Sequence, residues 1–235
     1  MLKIYQLFAR LLLALTLLNL NFVMADETTN IDPNTGTQTG QNEATDIAKP
    51  FMLTVEVPIF SQKIRFNLPV NWMHSHTSQN QAAYLIEFIP KNETPDQWSE
   101  LFSIQGIKDF NPESSPEQVS DFIANNLIEN CPDAAIYTKL GKRELSGHLA
   151  FASLIGCSSL PADGIKGLKA GMSEMAYYAI IKGKNDLYIV HKSIRSAGFE
   201  GDVFPPIIET AIGDMKDFFP IEFCQLASPK GQCLN

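Results

Sequence analysis

Hydrophobic positions along residues 51–68 alternate with polar ones. Leu53, Val55 and Val57 share one face, and Ile64, Phe66 and Leu68 share one face of a second arm. Period two predicts two paired strands. Tyr84 to Ile89 predicts a third strand, stopped by Pro90.

The spacing then shifts toward the helical period. Thr94-Pro95-Asp96-Gln97 and Ser115-Pro116-Glu117-Gln118 both have the form of a capping box. A hydroxyl residue caps, proline takes the first helical position, and glutamine reaches back to the cap. Trp98, Leu101, Phe102 and Gln105 follow the first cap, and Val119, Phe122, Ile123 and Leu127 follow the second. Two amphipathic helices are expected, the second ending before Cys131-Pro132.

Strands are predicted again at Tyr137 to Leu145 and His148 to Cys157, joined by Ser146-Gly147. The second is apolar or small throughout, as in a strand covered on both faces. Residues 158–173 are expected to be loop. A hairpin is expected from Glu174–Ile181 and Leu187–His191, around Gly183-Lys184-Asn185. A last helix is expected after Pro205-Pro206, from the spacing of Phe204, Ile207, Ile208, Ala211, Ile212, Met215 and Phe218. The predicted order is β-β-β-α-α-β-β-β-β-α. That is an α+β domain, a largely antiparallel sheet covered by helices.

The first fifty residues are of a different kind. Residues 1–25 carry Lys3 and Arg10, an apolar run from Leu11 to Val23, and Val23-Met24-Ala25 at the end. This has the form of a secretory signal peptide. Residues 26–50 are almost wholly polar, with Ile31 and Ile47 as exceptions. Such a stretch buries too little surface to offset its ordering entropy and is expected to be a tether. Residues 51–235 are expected to form one domain.

Of the 235 residues, 45% are apolar and the formal charge is −8. Loss of Lys3 and Arg10 with the leader leaves 16 basic and 26 acidic residues, a net of −10. An acidic chain without a basic run is unsuited to phosphate-backbone binding, so no nucleic-acid partner is expected. No apolar stretch long enough to span a bilayer as a helix follows the leader.

Four cysteines remain after the leader: Cys131, Cys157, Cys224 and Cys233. An even count in an exported chain suggests disulfides, and three pairings are possible. Cys131–Cys157 with Cys224–Cys233 is preferred, because Ser228-Pro229-Lys230-Gly231 allows the reversal that a short C-terminal loop needs. In the chain-entropy model the larger loop contributes roughly 3–4 kcal/mol and the smaller about 2–3 kcal/mol. A zinc site is disfavoured, since no CxxC is present.

Candidate chemistry is sparse. His74-Ser75-His76 lies in an expected polar loop, and two histidines at i, i+2 would face one way and could grip a metal if extended, which is the small-ligand or metal carrier alternative. No carboxylate adjoins them, and a plain loop is the preferred reading. His148 is expected to find a backbone partner at the start of its strand. His191 is expected to end a strand beside Lys192 and Arg195. Lys182, Lys184, Lys192 and Arg195 read as an acid-binding edge or, preferably, as a solvated edge-strand guard. Ser158-Ser159 lacks the second glycine of a nucleophile elbow, and Gly164, Gly167 and Gly171 match no phosphate loop. A hydrolase reading would need Ser158 or Ser159 with His148 and a distant acid. Trp98 and Phe102 are expected to be core residues. No catalytic, cofactor-binding or metal-binding residue is nominated, and no cofactor is expected.

The run Glu87-Phe88-Ile89-Pro90-Lys91-Asn92-Glu93-Thr94-Pro95-Asp96-Gln97-Trp98 resembles a strand-to-helix passage in exported bacterial proteins similar to the Mog1/PsbP group. Ile104-Gln105-Gly106 is similar to the exit that follows there, and Gly147-His148 leads into an apolar strand and a Tyr-rich hairpin in the same manner. The resemblance covers about residues 50–220. It implies an α/β/α sandwich around an antiparallel sheet and a non-enzymatic binding or assembly role. Some members of the group assist photosystem II assembly and others bind a small GTPase, but no residue here carries either partner over. The expectation is therefore an exported, non-catalytic protein-interaction module, periplasmic or secreted, with protein partners in the cell envelope. A subunit of a type IVB secretion outer-membrane complex is a narrower form of it.

Overall fold

The computed structural model describes residues 51–160, 171–200, 205, 208, 210 and 213–234. The chain divides into Met1–Lys49 and Pro50–Asn235, and every described residue belongs to the second unit. The expected leader, the tether, the glycine loop at 161–170 and most of the last predicted helix lie outside the described residues.

Two antiparallel sheets and one α-helix make up the described fold. The smaller sheet has the order β1-β2-β10, from Met52–Ile59, Gln62–Pro69 and Glu222–Gln225. The larger has seven strands in the order β3-β4-β5-β9-β8-β7-β6. These are Trp72–Gln79, Ala83–Pro90, Glu100–Ile107, Leu187–Ala197, Met172–Lys182, His148–Cys157 and Ala135–Leu145. Helix α1 spans Pro116–Asn130, and a 3₁₀ turn spans Asp214–Phe218.

The strand predictions at 51–68 and in the second half hold, the first pair because it alternates and the later strands because they are long runs joined in hairpins. The cap of α1 also forms as expected. The Ser115 side chain accepts from Gln118 N, and the Gln118 side chain accepts from Ser115 N.

The first predicted helix does not form, so the predicted element order and helix count are corrected. Thr94 and Gln97 close a tight turn on each other instead, through Gln97 N to Thr94 O at 3.0 Å and Thr94 N to Gln97 O at 3.2 Å. The chain then enters β5. Leu101 and Ser103 face one side and Phe102 and Ile104 the other, all buried. A strand buried on both faces meets the helical spacing as well as a helix does, and pairing with β4 and β9 decides between them. Phe102 is thus a core residue on a strand.

Two more strands escaped prediction. His74-Ser75-His76 is not in a loop but in edge strand β3, with a bulge between His74 and His76. β10 is only four residues long and pairs with β2.

The two sheets pack face to face. Val57, Ile59, Ile64, Phe66 and Leu68 of the small sheet meet Ile86, Phe88, Phe102, Ile104 and Val190 of the large one. Phe66 lies 5.6 Å from Phe88 and 5.3 Å from Phe102, ring centre to ring centre. Phe218 stacks on Phe102 at 4.1 Å. A Cβ at Gly106 would lie 2.4 Å from Ile59 Cγ2, so glycine in β5 is what lets the β1–β2 turn settle here. Helix α1 covers the opposite face, against β6, β7 and β8. Among the described residues the layers are therefore helix, sheet and sheet. The second covering layer is the small sheet rather than helices alone.

Two disulfides close the fold. Cys131, at the end of α1, bonds Cys157 at the end of β7, and Cys224 of β10 bonds Cys233. Both fit an oxidising, extracytoplasmic setting. None of the described helices is long and apolar enough to cross a membrane.

Candidate functional site

The structure separates the residues that sequence reasoning would have grouped. Across the β3 bulge, His74 pairs with Phe88 and His76 with Glu87. Cross-strand partners share a face, so the two histidines point to opposite faces of the sheet. The extended geometry that would let them grip one ion is absent. His74 Nε2 lies 2.7 Å from Thr77 Oγ1. No group of three or more His, Cys, Asp or Glu able to hold a metal occurs among the described residues.

His148 and Ser158 lie beyond each other's reach. His148 opens β7 and Ser158 follows its last residue, ten residues on, or about 30 Å at ~3.3 Å per residue. His148 takes a side-chain partner, with its Nε2 3.3 Å from Gln62 Nε2, instead of the expected backbone one.

The four cations do not form an edge guard, because β8 and β9 are interior strands. Lys192 is buried on the small-sheet face and pairs with Glu100 at 2.8 Å. Arg195 lies on the other face, 2.9 Å from Glu174, with its guanidinium 3.4 Å from the Trp98 ring centre. Lys182 and Lys184 line an open cleft of about 340 Å³ with Asp109, Phe110, Pro112 and Asp186. Polar groups there are already engaged. Lys182 donates to the carbonyls of Pro112 and Ser114. Asp186 accepts from Ser61 N and Asp109 N, each at 2.9 Å, and from the Ser61 hydroxyl. The buried carboxylate knots three loops together.

One polar row was missed. On the α1 face, Glu87, Ser103, His191 and Tyr178 are successive cross-strand partners on β4, β5, β9 and β8. His191 lies in mid-strand, since β9 continues to Ala197. Its ring centre is 5.0 Å from that of Tyr178. Burial pushes the imidazole pKa down to about 4. Burial and then the charge of Glu174 push the Glu87 carboxyl up, opposed by Arg195. Ser103 Oγ and His191 Nδ1 have no hydrogen-bond partner among the described residues. Assigning β5 to a helix concealed the row, because Ser103 faces Glu87 and His191 only on a strand.

The order of the row decides what it can do. A nucleophile–base–acid relay needs the imidazole between the other two groups. Here serine stands in the middle, and the second neighbour of His191 is a tyrosine. A base also needs a pKa near the working pH, whereas burial makes this imidazole a weak base. The row continues under α1, where Ser120 Oγ donates to Ser153 Oγ at 2.8 Å and Tyr137 OH donates to Asp121 Oδ1 at 2.7 Å. It is built as a strut between sheet and helix that ends on the Asp121–Lys139 ion pair.

The remaining irregularity is at a sheet edge. Phe51 is 84% exposed and Leu53 52% exposed, at the start of β1. β1 is an edge strand of the small sheet.

No family model matches the chain. No curated protein matches it either. Several solved structures are similar. The Saccharomyces cerevisiae Ran-binding protein Mog1p is 11% identical, with 63% of this chain and 79% of that one covered and a TM-score of 0.39. Cyanobacterial PsbP from Synechocystis is 10% identical, with coverage of 67% and 86% and a TM-score of 0.38. A Pseudomonas aeruginosa protein of unknown function is 12% identical, with coverage of 70% and 94% and a TM-score of 0.33. The first two are namesakes of the group that the passage from Glu87 to Trp98 resembles. Neither partner nor activity passes from them to this chain.

Proposed function

We propose that this chain is an exported, non-catalytic protein-interaction module, an accessory or structural subunit of a cell-envelope assembly, with secretion machinery as the narrower form. The reading is carried by Phe51 and Leu53, large apolar side chains left in water at the start of β1, which is an edge strand among the described residues. Apolar side chains presented together at an open edge mark contact sites. Two disulfides support the export half of the reading. The strut-like order of Glu87, Ser103 and His191 supports the non-catalytic half, and the separation of His148 from Ser158 removes the hydrolase grouping.

The test replaces Phe51 with a photo-crosslinking phenylalanine analogue in the native host. A covalent adduct with a second envelope protein is the expected product. Recovery of this chain alone, or of no adduct, overturns the proposal.

A further inference from the structure

Among the described residues the two sheets present four edges, and three are blunted. β3 carries a bulge and the side chains His74, Ser75, His76, Thr77 and Ser78. β6 carries a bulge between Lys139 and Gly141 and the cations Lys139, Lys142 and Arg143. β10 is four residues long, closed by a disulfide, and Ser146 Oγ accepts from Phe223 N at 3.4 Å. Bulges, cations and short length are the devices that stop strands from pairing with a further chain. β1 is different. It runs eight residues in unbroken register with β2; its blunting is confined to Glu56 and Pro58 in its second half, while Met52, Leu53, Thr54 and Val55 carry neither charge nor proline.

The ladder shows which backbone groups face outward. Val70 N donates to Phe51 O at 2.9 Å, which makes Phe51 and Val70 a hydrogen-bonded pair. Such pairs alternate along an antiparallel ladder, so the odd residues of β1 bond to β2. Pro69, which has no N–H, falls opposite Met52 in a non-bonded pair, as that alternation requires. The N–H and C=O groups of Met52, Thr54 and Glu56 therefore point to the open side. Phe51, Leu53 and Val55 lie on the face that continues the core formed by Val57 and Ile59.

Two observations select the occupant. β1 is about 26 Å long at ~3.3 Å per residue, so a globular copy meeting it at this edge alone buries far less than the ~800 Å² per partner of a stable interface. An extended segment needs no such area, because main-chain hydrogen bonds carry its affinity. Charge also disfavours a second copy. The chain carries −8 overall. A basic segment is attracted and an identical chain repelled.

We infer that β1 accepts an extended segment of a partner protein as an added strand, with apolar side chains at alternate positions and Lys or Arg at its flanks. The added strand pairs with Met52, Thr54 and Glu56, and its apolar side chains cover Phe51 and Leu53. This rests on the interaction reading above and specifies its mode.

The test uses the leader-free, oxidised chain and a synthetic peptide of alternating Val and Thr with two lysines at each end. Calorimetry is expected to show saturable binding. Thr54→Pro removes one outward N–H and is expected to weaken it at least tenfold with an unchanged melting temperature. Leu53→Asp is expected to weaken it similarly and serves if the proline variant fails to fold. The same peptide with glutamates at its flanks is expected to bind at least tenfold more weakly at low salt, with the gap closing at high salt. Absence of binding, or equal binding to both variants, overturns the inference. So does a dimer in sedimentation that Thr54→Pro dissolves, since a second copy then occupies the edge. If crosslinking at Phe51 captures an envelope protein while Thr54→Pro changes nothing, strand addition fails and the interaction reading stands. If the peptide binds and no adduct forms in the host, the reverse holds.

Discussion

The two faces of the seven-stranded sheet are held by different means. On the small-sheet side, Phe66, Phe88, Phe102 and Phe218 interlock as rings, with the Lys192–Glu100 pair at their margin and its ammonium 5.7 Å from the Phe218 ring centre. On the α1 side, the same strands present Glu87, Ser103, His191, Tyr178 and Ser153, and the helix is pinned by the Cys131–Cys157 bond at its end. β5 shows the contrast within two residues, since Phe102 faces one way and Ser103 the other, both fully buried. Close-packed rings stabilise at every pH. A buried polar row is neutral only while its groups stay uncharged, so its side of the fold is conditional. The difference teaches that one sheet can be anchored on one face and adjustable on the other.

The largest way to break the comparison is Phe102→Ala. It removes a ring that touches Phe66 and Phe218 and is expected to lower stability by about 3–5 kcal/mol in denaturant melts, with β1–β2 docking loosened. A loss under about 1 kcal/mol would mean that the anchored face is not anchored by its rings. Opening the other face is expected to do slightly less. Replacing Cys131 and Cys157 together by serine is expected to cost about 3 kcal/mol, read in the same melts. Proteolysis is then expected to begin in α1 and not in β1 or β2.

The pH dependence sharpens the contrast. His191 is held near pKa 4 by burial, below the usual 6.5. A depressed folded pKa means that its stabilising share is complete above about 6.5 and is lost as pH falls toward 4, because the unfolded chain takes the proton first. From those two values the loss at pH 5 is about 2 kcal/mol. His191→Gln is expected to remove that slope. Glu87 runs in the opposite sense, since its raised pKa lets the folded state take a proton early. Glu87→Gln is therefore expected to steepen the acid loss. A His191→Gln melt that falls as steeply as the parent's between pH 7 and pH 5 would contradict the first expectation, and a Glu87→Gln melt that falls no more steeply than the parent's would contradict the second.

The smallest effect is assigned to Ser103→Ala. Its hydroxyl is buried without a hydrogen-bond partner among the described residues. Removing an unpaired buried polar atom is expected to change stability by less than about 1 kcal/mol, toward greater stability. A clear loss would show that Ser103 bonds its row neighbours more strongly than the geometry implies.

How much of this was legible in the sequence differs from element to element. Alternation at Leu53, Val55 and Val57 and the cap at Ser115 could be read directly, because both are local patterns of two to four residues. His74 and His76 could not be placed, because a one-residue bulge reverses a side chain and leaves no mark in the sequence. Thr94 to Gln105 was misread because a capped turn followed by apolar residues satisfies both periods. The polar row was illegible for a related reason. Glu87, Ser103 and His191 are separated by tens of residues and become neighbours only through strand register.

The sequence by itself determined the hairpins β1–β2, β6–β7 and β8–β9, the site of α1 and the number of cysteines available for bonding, since each follows from short-range sterics, hydrogen-bond periodicity or counting. Tertiary structure alone decided that Glu100–Ile107 is a strand, that His191 is buried beside Ser103, and that β1 is an edge strand among the described residues. Those outcomes depend on which distant segments reach a strand first and bury it. The free energy of that choice lies in contacts between segments, not within any one of them.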